Sequence, residues 1–302
     1  MIVAIASGKG GTGKTTVAVN LALALSARDR VELIDCDVEE PNCHIFLKPD
    51  IREREPVGIP IPVVDEEKCT GCGECGRFCE YHAIVSLKTT PLVFPELCHG
   101  CGGCTKVCPV EAISEVERQI GVVESGRRDG IGFVQGRLNI GQPMSPPLIR
   151  AVKKRASTDG ITVIDCPPGT SCPVIAAVKG SDFVVLVTEP TPFGLHDLRL
   201  AVDMVRELRI PFGVVVNRVG MGDDRVHAFC KDHHIPVLQE IPDDRRVAEA
   251  YSRGNVILNA LPEYRSYFDN LMNEILILVK QDESVKQRET YEPMDHSSER
   301  IQ

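Results

Sequence analysis

Two sets of residues in this chain carry spacings that do chemistry. The first lies near the N-terminus, where Gly8, Lys9, Gly10, Gly11, Thr12, Gly13, Lys14 and Thr15 match the pattern G-x-x-x-x-G-K-[ST]. Glycines let backbone N–H groups curl around phosphate oxygens without Cβ clashes. Lys14 is suited to neutralise the β- and γ-phosphates, and the Thr15 hydroxyl to ligate Mg²⁺. Thr16 continues the loop into a helix whose positive dipole end adds to the site. The expected ligand is ATP or ADP with Mg²⁺.

The second set is sulfur. Eight of thirteen cysteines form two runs spaced C-x-x-C-x-x-C-x-x-x-C: Cys69, Cys72, Cys75, Cys79 and Cys98, Cys101, Cys104, Cys108. Glycines and an Ala-Ile pair recur with them at one fixed offset, the mark of a duplicated unit. The second run ends in Cys108-Pro109 and resembles the bacterial ferredoxin pattern; the first ends in Cys79-Glu80 and lacks the proline. In two-cluster ferredoxins the fourth cysteine of each run ligates the other cluster. That resemblance implies two [4Fe–4S] clusters, one on Cys69, Cys72, Cys75 and Cys108, the other on Cys98, Cys101, Cys104 and Cys79. Zinc is the alternative, but zinc sites favour two C-x-x-C pairs separated by a longer loop. Full cysteine ligation leaves no open iron, which points to electron transfer or to a structural and sensing role.

A phosphate loop needs a strand before it and a helix after it. Apolar, β-branched-rich runs occur at Ile2–Ala6, Val31–Asp35, Ile161–Asp165, Phe183–Val187 and Phe212–Val216, as expected for strands buried on both faces of a parallel sheet. Helical stretches such as Lys14–Arg28 and Leu195–Leu208 lie between them. The pattern predicts an α/β fold with a doubly wound, mostly parallel sheet. The alternation breaks over the cysteine runs, so residues 58–116 read as a small inserted α+β ferredoxin-like domain. Residues 1–57 and 117–280 read as the two parts of the nucleotide domain. Proline-bearing flanks at Pro56–Pro62 and near Pro143–Pro147 bracket the insert, with a strand-like return at Gly121–Ile140. Tyr264–Lys280 has the periodicity of a terminal helix, and 281–302 reads as a disordered tail.

Lys9, with Lys14, Thr15 and Thr16, resembles the deviant Walker A of the MinD/ParA/Mrp ATPases, over about Met1–Lys48 and Gly141–Lys280. The resemblance implies an ATPase, slow and partner-stimulated, that forms a homodimer around sandwiched ATP, with Lys9 reaching the partner's nucleotide. It assigns the attacking water and γ-phosphate sensing to Asp37, and Mg²⁺, often through water, to Asp165. It also puts Asn217 and Arg218 at the adenine and Pro242 in a second adenine-side loop. Lys9, Lys14 and Asp37 are thus the candidate catalytic residues. Mrp-type cluster carriers use a C-terminal C-x-x-C pair, and none follows Cys172 here. Cys36, Cys43, Cys166, Cys172 and Cys230 read as buried or incidental. A sharper alternative gives Cys36 and Cys166, each following a Mg²⁺-side aspartate, a third centre shared across a dimer.

The formal net charge of −9 argues against general nucleic-acid or anionic-membrane binding. No apolar run approaches the ~18 residues of a spanning helix. The N-terminus lacks a signal-peptide pattern, so the expected compartment is cytoplasmic, where thiols bind metal rather than pair as disulfides. The favoured expectation is a redox or metallocluster-assembly ATPase serving a redox or Fe–S protein partner. A cluster carrier and a division- or partitioning-type positioning ATPase are the alternatives.

Overall fold

Side-chain alternation along each apolar run divides the core in two. A computed structural model describes residues 1–86, 90–157 and 159–289. Its strands are β1 (Ile2–Ala6), β2 (Val31–Asp35), β3 (Asp50–Val64), β4 (Ile84–Val85), β5 (Leu92–Val93), β6 (Ile113–Arg128), β7 (Ile131–Leu138), β8 (Ile161–Asp165), β9 (Phe183–Thr188), β10 (Phe212–Val219) and β11 (Val237–Pro242). Helices are α1 (Lys14–Leu25), α2 (Cys43–Leu47), α3 (Glu74–Phe78), α4 (Gly103–Lys106), α5 (Pro146–Lys153), α6 (Cys172–Val178), α7 (Pro192–Glu207), α8 (Arg225–Asp232), α9 (Arg245–Ser252), α10 (Ile257–Ala260) and α11 (Arg265–Glu289). Val3, Ile5, Leu33, Val163 and Val185 face a core closed by α1, α10 and α11. Ala4, Ile34, Ile164, Val184 and Leu186 face the opposite core, closed by α5, α6, α7 and α8. Burial on both faces is why these strands read as unbroken apolar runs.

The large sheet has the order β11-β10-β9-β1-β8-β2-β7-β6-β3. Neighbours from β11 to β7 are parallel, whereas β7, β6 and β3 pair antiparallel. The architecture is therefore a doubly wound, mostly parallel α/β sheet with an antiparallel edge. In the register of β2 and β8, Asp35 lies opposite Asp165. Two carboxylates thereby reach the C-terminal edge of the sheet together, where open α/β sheets bind ligands.

The flanks of the cysteine runs take part in the antiparallel edge. Pro56–Pro62 lies within β3, a 15-residue strand paired with β6 along its length. Prolines are tolerated there because β3 is the edge strand. The return at Gly121–Ile140 is two strands, the end of β6 and β7, turned at Asp129 (φ 49°) and Gly130 (φ 84°), an Asp-Gly hairpin signal. The terminal helix runs to Glu289, so residues 281–289 are helical rather than structureless. The rest of the expected tail, 290–302, lies outside the described residues.

Beyond the large sheet, β3 and β6 continue as a two-stranded ribbon into the cysteine runs. The duplicated unit folds as a pseudo-twofold pair. Val64 of β3 pairs with Ile113 of β6, and the equivalent residues, Val93 and Ile84, pair in β5 and β4. Asp65 N–H donates to Ala112 O at 2.7 Å, and its counterpart Phe94 N–H donates to Ala83 O at 2.7 Å. Gly73 and Gly102 hold left-handed backbone ahead of α3 and α4. Each copy thus completes its sheet with a strand of the other. Cys75, Ile84 and Ile113 form a small core of their own there.

Candidate functional site

The loop after β1 is held open by contacts that only its own sequence permits. Gly13 has φ 96°, and a Cβ there would sit 2.4 Å from Asn217 Nδ2. Asn217, at the end of β10, donates from Nδ2 to Thr12 O at 2.8 Å. The expected base-side residue is thereby tied to the phosphate loop. A pocket of about 380 Å³ is lined by Lys14, Thr15, Asp37, Asn217, Arg218 and Pro242 among others. Gly10, Gly11, Gly13 and Thr16 also border it. Gly8 and Lys9 stand outside it: Gly8 packs on the Asp197 backbone of α7, and Lys9 Nζ lies 3.6 Å from Glu189. Asp244, beside Pro242, accepts from Tyr264 Oη at 2.9 Å, bracing the base-side loop against the segment that enters α11.

Charge is concentrated beneath the loop. Asp165 Oδ2 accepts from Thr15 Oγ1 at 2.6 Å. Asp35 accepts from the N–H groups of Asp37 (3.1 Å), Asn42 (3.0 Å) and Cys43 (3.0 Å), pinning the segment that carries Asp37. Burial, with Asp165 beside it, pushes the Asp35 carboxyl far above the usual range. Burial also raises Asp165, opposed by Lys14 and by the bonds from Thr15 and Cys43. Burial raises Asp37 to about 6, with Lys14 opposing. Asp165 Oδ1 is buried with no hydrogen-bond partner among the described residues. An acid-rich, under-neutralised nest beside a threonine hydroxyl suits a hard cation. Thr15 and Asp165 are the residues that would hold Mg²⁺, which would supply charge neutralisation on the phosphates.

The sequence marked Asp35 only as a Mg²⁺-side aspartate and gave no role to Glu189. Both sit at the C-terminal ends of buried strands, as Asp165 does, and a carboxylate at that position is the signal that finds them. Glu189 is buried (8% exposed) and holds Arg218 Nη1 at 2.6 Å.

The eight run cysteines are brought together in two mixed sets. Cys79 lines one cavity, of about 530 Å³, with Cys98, Cys101 and Cys104. Cys108 lines a second, of about 10 Å³, with Cys69, Cys72 and Cys75. Backbone N–H groups point at sulfur in both: Ala83 to Cys79 Sγ at 3.3 Å, Gly100 to Cys98 Sγ at 3.4 Å, and Ala112 to Cys108 Sγ at 3.2 Å. Among the described residues, the one trio of His, Cys, Asp or Glu with ligand atoms within 4.8 Å of one another is Asp35, Cys43 and Asp165.

The remaining cysteines are placed differently. Cys36, Cys43 and Cys166 are fully buried and Cys230 nearly so, and burial pushes all four thiols up. Cys36 and Cys166 belong to the core under α5 and α6. They cannot face a second protomer, which removes the third centre shared across a dimer. Cys172 is exposed.

The sheet order, phosphate loop and strand-end carboxylates define a nucleotide-binding α/β protein. The chain belongs to the CobQ/CobB/MinD/ParA nucleotide-binding family, whose domain matches residues 3–257. The uncharacterized protein MJ0579 of Methanocaldococcus jannaschii is 31% identical over 279 residues, covering 91% of this chain and 98% of that protein. An iron-sulfur cluster carrier protein of Aquifex aeolicus is 27% identical over 287 residues, 87% of this chain and 63% of that protein. The cell division ATPase MinD of Pyrococcus furiosus shares the fold, with a TM-score of 0.58 at 23% identity, over 92% of this chain and 98% of that one. No helix among the described residues is long and apolar enough to cross a membrane.

Proposed function

We propose that this protein is an ATP-binding, slowly ATP-hydrolysing iron–sulfur protein in which an ATP-sandwich homodimer is coupled to two [4Fe–4S] clusters. The coupling serves electron transfer, redox sensing or metallocluster assembly for a redox or Fe–S protein partner in a reducing, cytoplasmic compartment. One observation carries this. Leu138 N–H, at the end of β7, donates to Val38 O at 2.8 Å, one residue after Asp37. The next residue, Asn139, donates to Ile120 O of β6 at 2.8 Å, and β6 with β3 continues into the cysteine sets. A continuous hydrogen-bonded path links the proposed γ-phosphate sensor to the proposed cluster ligands.

The residues divide the work. The loop N–H groups and Lys14 bind the phosphates, Thr15 and Asp165 hold Mg²⁺, and Asn217, Arg218 and Pro242 border the base. With its carboxyl near 6, Asp37 is mostly ionised at neutral pH and able to orient a water. Eight thiolates hold the clusters, and N–H···S bonds temper their charge. Bound clusters would supply one-electron chemistry.

A cluster-carrier role is the second reading. It is favoured by the likeness to the Aquifex carrier protein and by the exposure of Cys72 and Cys101. Closed ligation by eight cysteines and the lack of a C-x-x-C pair after Cys172 weigh against it. The net charge of −9 disfavours nucleic-acid or anionic-membrane partners, and with them a positioning role.

Asp37→Ala is expected to slow ATP hydrolysis about a hundredfold and to hold an ATP-bound dimer in anaerobic sedimentation. Wild type should return to monomer as ATP is consumed. A variant that hydrolyses ATP at the wild-type rate, or stays monomeric with ATP, would overturn the assignment.

A further inference from the structure

Lys9 and Arg218 come from distant parts of the chain, yet both meet one carboxylate. Glu189 directly follows β9 and is almost fully buried, with 8% exposure. Its Oε2 lies 3.6 Å from Lys9 Nζ, and its Oε1 accepts from Arg218 Nη1 at 2.6 Å. The two cations are more open than the acid, with side-chain exposures of 33% for Lys9 and 46% for Arg218. Arg218 borders the nucleotide pocket and Lys9 does not. The backbone around the acid is firmly set. Thr188 Oγ1 donates to Gly194 O at 3.0 Å. Pro190 O accepts from Asp223 N–H at 3.1 Å, which fixes the loop after β10 against the acid. The carboxylate is therefore rigid while both of its partners can leave.

We infer that Glu189 is a latch: it holds Lys9 on its own protomer until nucleotide arrives, and so sets the threshold for ATP-driven dimerisation. The inference rests on the ATP-sandwich reading of Lys9. A lysine paired to a carboxylate of its own chain cannot at the same time reach a partner's phosphate. Breaking that pair is a cost that dimerisation must meet. Arg218 shares the acid and partly neutralises it, which weakens the hold on Lys9 and keeps the cost of its release small enough for a partner's phosphates to meet. Glu189 is a positioning residue, acting through Lys9 and not on the phosphates.

The test is dimerisation of the full, cluster-loaded chain, followed by anaerobic light scattering over a series of concentrations of the non-hydrolysable analogue AMPPNP. Glu189→Gln keeps the shape and removes the charge. It should lower the AMPPNP concentration at half-dimerisation about threefold to fivefold, the scale of one partly exposed ion pair. Glu189→Asp, which restores a carboxylate, should return the threshold toward wild type. Adding Lys9→Ala to Glu189→Gln should erase the gain. An unchanged or raised threshold in Glu189→Gln overturns the latch, as does a gain that survives Lys9→Ala. A wild-type chain that never dimerises with AMPPNP overturns the sandwich reading and the latch together; a wild type that dimerises while Glu189→Gln matches it overturns the latch alone.

Discussion

Replacing Lys14 by alanine is expected to weaken ADP and ATP binding about a hundredfold or more while leaving iron per chain unchanged. The size follows from the lysine's place. Lys14 is 6% exposed and stands beside the buried acids Asp165 and Asp37, whose carboxyls it pulls down against burial. It is the one lysine bordering the nucleotide pocket. Without it, phosphates would enter a pocket underlain by carboxylates with no lysine beside them, and truncating one partner of a buried charge pair costs about 2–5 kcal/mol. Iron content should not respond, because the cysteine sets sit in a separate small core reached only through the β3–β6 ribbon. Isothermal titration of ADP and a colorimetric iron assay on one preparation check both halves. Retained binding, or lost iron, would count against the assignment.

The second large effect concerns cluster ligation. Cys79→Ser should remove about half of the iron by damaging the cluster proposed on Cys98, Cys101 and Cys104, the run it does not belong to. Double variants make the crossing decisive. If Cys79 and Cys101 serve one cluster, Cys79→Ser with Cys101→Ser should lose no more than about half the iron. Cys79→Ser with Cys72→Ser should lose nearly all of it, since each substitution then strikes a different cluster. Uncrossed ligation predicts the reverse order. The proposed crossing rests on a structural exchange: each duplicated unit completes its sheet with a strand of the other, Val64 on Ile113 and Ile84 on Val93. That exchange carries Cys79 and Cys108 toward the opposite runs. Anaerobic iron and sulfide analysis with electron paramagnetic resonance distinguishes the outcomes.

What could be read from the chain depended on whether the physics was local. The phosphate loop is local, since glycines, lysine and threonine at fixed spacing build an anion site from their own backbone. Strands β1, β2, β8, β9 and β10 were legible because burial on both faces leaves unbroken apolar runs. The two cysteine runs stand out because their spacing is local, and the structure gathers them into two mixed sets. The β3–β6 ribbon was not. Its residues Asp50–Val64 carry charges and prolines that an edge strand tolerates, so they lack the pattern of a buried one. The hold of Asn217 on Thr12 spans 205 residues, and the side-by-side placement of Asp35 and Asp165 is a matter of strand register. Glu189 carries a strand-end signal in the sequence, but its pairing with Lys9 and Arg218 is set by the fold. Tertiary register, not residue type, supplies those contacts.

The central claim is that nucleotide and clusters are coupled. ATP can move an equilibrium only by binding one state better than the other, and the effect is reciprocal. The direct measurement is the dissociation constant for AMPPNP in the oxidised protein and in the same protein reduced with dithionite, under one salt and Mg²⁺ concentration. Coupling through the β7–β6 path predicts constants that differ by about fivefold or more, with the difference lost in a Cys79→Ser, Cys72→Ser double variant. Equal affinities in the oxidised and reduced protein would contradict it.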